Sequence, residues 1–132
     1  MPRLILDTSV LIRHWRYRGG GSPMGKTSAD AEQWARELVD LYPRAGIVTP
    51  VRIEFIAGTS SASELELAVT YLGQFDLVDD RRITPDDWDE AERLARRVPR
   101  DGRPRQLGDC LIRALAKRLR CDVQSHDRSF PR

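Results

Sequence analysis

The chain alternates short apolar runs with longer amphipathic ones. Arg3-Leu4-Ile5-Leu6 opens it as a run that reads as a buried strand ending at Asp7. Thr8 or Ser9 can cap a helix over Val10 to Trp15. A Gly/Ser/Pro-rich stretch follows, and then Ala29 to Leu41 carries apolar residues at helical spacing. Ala45-Gly46-Ile47-Val48 reads as a second strand. Thr49-Pro50 then offers a cap and a first-turn proline for a helix over Val51 to Ala57 that stops at Gly58. Ser63 to Leu72 is amphipathic, and Leu77-Val78 fits a short strand. Thr84-Pro85-Asp86-Asp87 is a cap, a proline and an acidic first turn, opening a helix to about Arg97. Arg100 to Pro104 reads as a loop. Gly108-Asp109 starts a helix to about Arg120, and Asp122 to Ser125 is a last strand. Strands alternating with helices predict an α/β sandwich with a parallel sheet.

One segment within this pattern matches a nucleotide-binding motif. Gly20-Gly21-Ser22-Pro23-Met24-Gly25-Lys26-Thr27 fits G-x-x-x-x-G-K-[ST], the loop whose amides and lysine cradle phosphates. That loop must leave a buried strand and enter a helix. Here the preceding residues, Arg13-His14-Trp15-Arg16-Tyr17-Arg18-Gly19, carry three arginines and a histidine, which a central strand does not tolerate. A phosphate-loop NTPase using Gly20 to Thr27 is therefore the alternative reading, with half of its required context missing.

Length and composition narrow the classes. At 132 residues the expectation is a single domain over 1–132. No apolar stretch is long enough for a membrane span. The opening MPRLILDTSVLI lacks a cleavage site and has an aspartate within its apolar run, so a signal peptide is not expected and the cytoplasm is. Cys110 and Cys121 are eleven apart in what reads as one helix. That is roughly 16 Å along the axis, too far for a disulfide, and neither has a histidine at zinc-ligand spacing.

The net charge of +2 hides a bias toward arginine, which supplies 20 of the 22 basic residues. Ten basic residues lie between Arg93 and Arg120. The planar guanidinium suits phosphate, and a basic stripe over Arg96, Arg97, Arg100, Arg103 and Arg105 is compatible with nucleic acid. A solvated surface and a codon bias account for the same composition.

In a parallel α/β sheet, ligands bind beyond the carboxyl ends of the strands. Four acids fall there or on the first turns beyond. Asp7 ends the first strand, Glu54 lies early in the helix after the second, Asp109 opens the C-terminal helix and Asp127 follows the last strand. Gathered in one cleft they would repel each other unless a cation joined them. Hard oxygen donors select Mg2+ or Mn2+, and such ions activate water against phosphodiesters. Each acid also admits a plain structural role. Asp7 can end a strand, Glu54 can face solvent, Asp109 can complement a helix dipole and Asp127 can be a turn residue.

These same segments carry a resemblance. Leu4-Ile5-Leu6-Asp7-Thr8-Ser9-Val10-Leu11-Ile12 resembles the opening of PIN-domain proteins, in particular the VapC-like toxins of toxin–antitoxin pairs. Thr49-Pro50-Val51-Arg52-Ile53-Glu54-Phe55 is similar to their second motif. Gly108-Asp109-Cys110-Leu111-Ile112-Arg113-Ala114-Leu115-Ala116 resembles the third, and Ser125-His126-Asp127-Arg128-Ser129-Phe130 the fourth. The resemblance implies a PIN-like three-layer sandwich with a short parallel sheet flanked by helices. It implies a Mg2+- or Mn2+-dependent endoribonuclease whose catalytic and metal residues are Asp7, Glu54, Asp109 and Asp127, with Ser9 and Ser125 orienting carboxylates or water. It further implies a homodimer and a cognate VapB-like antitoxin; a degenerate, non-cleaving PIN binding module is a further alternative. The chain departs from the family pattern at Ser125, where threonine is common, and at Ser129, where a second aspartate is frequent. The Gly19–Lys26 loop is longer than usual, and the basic Arg13–Lys26 segment is expected to contact RNA or the antitoxin.

Overall fold

The computed structural model describes residues 3–97 and 106–125. Three short parallel strands form an open sheet in the order β2-β1-β3, with β1 at Leu4–Leu6, β2 at Ala45–Gly46 and β3 at Asp122–Gln124. Leu4 is opposite both Ala45 and Asp122, and Leu6 is opposite Gln124. The predicted strand over residues 45–48 is paired only at its start. Beyond Gly46 it keeps a single parallel bridge, Ile47 to Leu77, and that bridge is all that forms of the Leu77-Val78 strand.

Among the described residues six helices flank the sheet: α1 Thr8–Tyr17, α2 Ser28–Leu41, α3 Thr49–Ala57, α4 Ala62–Leu72, α5 Pro85–Ala95 and α6 Leu107–Leu119. Local chemistry sets most of their starts. Thr27 and Thr84 each close a capping box, with Asp30 and Asp87 reaching back to the cap amide. Ser61 caps α4. The cap of α1 is Asp7 itself, accepting from the Thr8 amide, so neither Thr8 nor Ser9 is the cap and the helix starts earlier than its apolar pattern suggests. α3 has no side-chain cap of its own at Val48. Asp79, thirty residues away and buried, supplies one, accepting from the Thr49 amide at 3.1 Å and from its hydroxyl at 3.2 Å. The reading of both cysteines in one helix is corrected. α6 ends at Leu119 because Arg120 turns left-handed at φ 56, and Cys121 lies beyond it. Both thiols are free.

The main core gathers Ile5, Leu6, Val10 and Leu11 with Val51, Phe55, Tyr71 and Leu115. Trp15 is its aromatic hub, edge-on to Trp34 at 5.6 Å and to Phe55 at 5.4 Å. A smaller apolar cluster of Ala91, Cys110, Leu111 and Ala114 joins α5 to α6.

The hub also accounts for the glycine-rich loop. A Cβ at Gly20 would sit 2.1 Å from the Trp15 ring, so only glycine lets the chain lie flat on the indole. The loop joins α1 to α2 and follows no strand. Lys26 spends its ammonium on the Ser22 carbonyl at 2.8 Å, and the Thr27 hydroxyl caps α2. The strand that a phosphate loop must leave is replaced by a helix, and the motif match is a feature of composition.

Candidate active site

The C-terminal edge of the sheet carries the site. The Asp7 amide donates to the Gln124 carbonyl at 2.9 Å, the last link between the first and third strands. Past that link, Asp7 turns into the first turn of α1. One carboxylate oxygen accepts from the Thr8 amide at 2.7 Å and the other from the Ser9 hydroxyl at 3.3 Å. The side chain is thereby held at the positive end of a helix, where a negative charge is favoured.

Glu54 arrives from α3. The Thr8 hydroxyl donates to its Oε1 at 3.2 Å, a link across 46 residues. On its other side the Glu54 carboxylate lies against Gly108, the residue before Asp109 at the start of α6. Burial raises the pKa of Glu54 above its ordinary 4.5; the Thr8 hydroxyl acts against this, while the charges of Asp7 and Asp109 add to it. Three acids from three separate segments therefore act on one another at this edge.

They do not converge on one point. Arg113, one turn along α6, donates through Nε to both oxygens of Asp109 at 3.2 Å. Among the described residues no group of three or more His, Cys, Asp or Glu is arranged to hold one ion. Asp127 lies outside the described residues. Ser125 follows β3, half-buried. The donor chemistry nonetheless suits a hard cation, because every acid here offers carboxylate oxygen. The repulsion felt by Glu54 is the kind a divalent ion relieves.

The basic stripe is described only in part. Arg96 caps the end of α5 and pairs with Glu92 at 3.1 Å. Arg97 also has a partner. Arg100, Arg103 and Arg105 lie outside the described residues. Thr8, Gly108, Asp79 and Arg113 were not singled out as site residues in the sequence. Gly108 and Arg113 lie inside the quoted third motif, but nothing in their own pattern marks a contact with an acid.

A short open parallel sheet flanked by helices, with acids at its carboxyl edge, defines an α/β fold. The chain matches the PIN domain over residues 4–132 and belongs to that family. A VapC-like assignment is consistent with this family. No curated protein matches the chain. PIN domains are generally metal-dependent nucleases, and no helix among the described residues is long and apolar enough to cross a membrane.

Proposed function

We propose that this protein is a divalent-metal-dependent endoribonuclease and the toxic member of a toxin–antitoxin pair. The observation that carries the reading is the placement of the Glu54 carboxylate, bonded to Thr8 beside Asp7 and packed against Gly108 beside Asp109. Clustering of like charge at the ligand-binding edge of a parallel sheet costs stability, and functional sites are where such cost is retained.

Asp7, Glu54, Asp109 and Asp127 would hold Mg2+ or Mn2+. The ion supplies activation of water and neutralisation of charge on the phosphodiester. Around it, Ser9 orients Asp7 and Thr8 orients Glu54 through the bonds described above. Ser125 is assigned a similar orienting role. Arg113 holds Asp109 by its carboxylate and must share it with any ion bound there. Arg96, Arg97, Arg100, Arg103 and Arg105 are assigned to the RNA backbone. The family resemblance supports a cytoplasmic homodimer, one PIN-like domain over 1–132, and a VapB-like antitoxin that blocks the acidic cleft.

Two measurements test this reading. Calorimetry with Mn2+ should show binding to the wild-type protein and at least ten-fold weaker binding to Asp7→Asn. Induced expression should arrest growth in the wild-type form and not in the variant. Growth arrest by Asp7→Asn at wild-type strength would rule out the acidic cluster as its cause.

A further inference from the structure

A groove lies along the seam of α1 and α3. Its lining includes Ile12, one helical turn (about 6 Å of rise) beyond Thr8 on α1, and Phe55, the residue after Glu54 on α3. It encloses about 220 Å³ and passes Gly58, Ser60 and Gly21 of the glycine-rich loop. Two charged groups stand in its wall. Arg16 is exposed and has no carboxylate partner among the described residues. The other arginines of this segment are engaged: Arg18 is clamped by Glu37, and Arg13 has its own partner. Glu64 is 8% exposed. It accepts from the Trp15 indole N–H at 3.0 Å and from the Ser60 amide at 2.8 Å.

Both donors to Glu64 are neutral, and it forms no salt bridge among the described residues. A carboxylate offers about four acceptor sites, so two N–H bonds leave capacity on a group that already lines a cavity. A deep acceptor and a shallow cation in one groove, on the helix that carries Thr8 and beside the helix that carries Glu54, complement a nucleotide whose base presents an amino group and whose phosphate lies outward.

We propose that the α1–α3 groove is the subsite for the nucleotide next to the cut in single-stranded RNA. Arg16 takes a phosphate, and Glu64 reads the amino edge of guanine, cytosine or adenine, disfavouring uracil. Glycine at positions 21 and 58 keeps the groove open. At Gly21 a Cβ would meet nothing within 4 Å, so a side chain there would fill space rather than clash. The assignment rests on the ribonuclease reading above and extends it to base preference.

The test uses the full chain, Mg2+ and an end-labelled RNA pool of random sequence, with cut sites read by sequencing and KM and kcat read on one preferred oligonucleotide. Wild-type protein is expected to disfavour uridine at one position flanking the cut by about ten-fold, the discrimination of one good base contact. Glu64→Gln should erase that preference. Arg16→Gln should weaken RNA binding alike for all sequences and lower the salt slope by about one. Gly21→Leu, which leaves the core untouched, should raise KM with kcat nearly unchanged. Unaltered KM in Arg16→Gln and Gly21→Leu, or an unaltered base preference in Glu64→Gln, with RNA still cut, would overturn the groove assignment and leave the nuclease reading standing. Failure of the wild-type protein to bind or cut any RNA would overturn both.

Discussion

Gly108 and the Glu54 carboxylate are packed so closely that a methyl group would not fit between them. A Cβ on Gly108 would fall 2.6 Å from Oε1 and 2.7 Å from Oε2 of Glu54. The obstructing atoms are the far end of a flexible side chain, so Gly108→Ala should move Glu54 rather than break the fold. Alanine also gains up to about 1 kcal/mol over glycine inside a helix. The expected outcome is an unchanged or higher melting temperature together with at least a ten-fold loss of metal-dependent cleavage. Calorimetric melting and cleavage rates on the same sample separate the two effects.

Glu54 should cost the folded state stability at neutral pH. Burial and the charges of Asp7 and Asp109 raise its pKa above 4.5, so the folded protein binds this proton more tightly than the unfolded chain does. Stability from this group is therefore lost as pH rises from about 4.5 through the folded value. Glu54→Gln should match the wild type below that window and melt higher above it in EDTA. Added Mg2+ should narrow the gap by stabilising only the wild type. A variant that melts lower than the wild type at pH 7 in EDTA would contradict the charge clustering.

Asp79 holds the helix that presents Glu54. It is 2% exposed and is the only side chain seen capping the first turn of α3 among the described residues. Asp79→Ala should destabilise the fold by about 2 kcal/mol, the upper end of the cost of a lost helix cap, because the Asp79 position is buried. Denaturant titration reads this directly. Asp79→Asn, which keeps one carbonyl acceptor, should lose less.

The glycine-rich loop should behave as a packed turn. Gly20→Ala forces a methyl into the Trp15 ring and should cost about 1–3 kcal/mol, as overpacking does. Lys26→Ala removes only a surface bond to the Ser22 carbonyl and should change stability little. Neither the wild type nor this variant should bind ATP in equilibrium dialysis.

The sequence carried those features whose signals are local. An apolar run stopped by Asp7, the threonine cap of α5, and Asp109 in the first turn of the last helix were all legible because periodicity and capping act within a few residues. The contacts that join the site were not. The Thr8–Glu54 bond spans 46 residues and the Asp79 cap spans 30, and such pairs leave no periodic trace. Gly108 looked like an ordinary helix start, and only the approach of Glu54 gives it a reason. The second strand is shorter than its apolar run because Ile47 and Val48 are apolar for burial, not for pairing beyond one bridge. Cys121 was placed in the helix because nothing in Leu119-Arg120-Cys121 marks the left-handed turn at Arg120.

The measurement that bears most directly on the central claim is cleavage of end-labelled RNA by antitoxin-free protein. Parallel lanes would hold Mg2+, Mn2+, EDTA and the Asp7→Asn variant. The account predicts cutting with either metal, none in EDTA, and a loss of at least a hundred-fold in the variant, the order expected when transition-state charge stabilisation is removed. Cleavage that persists in EDTA, or at full rate in Asp7→Asn, would contradict it.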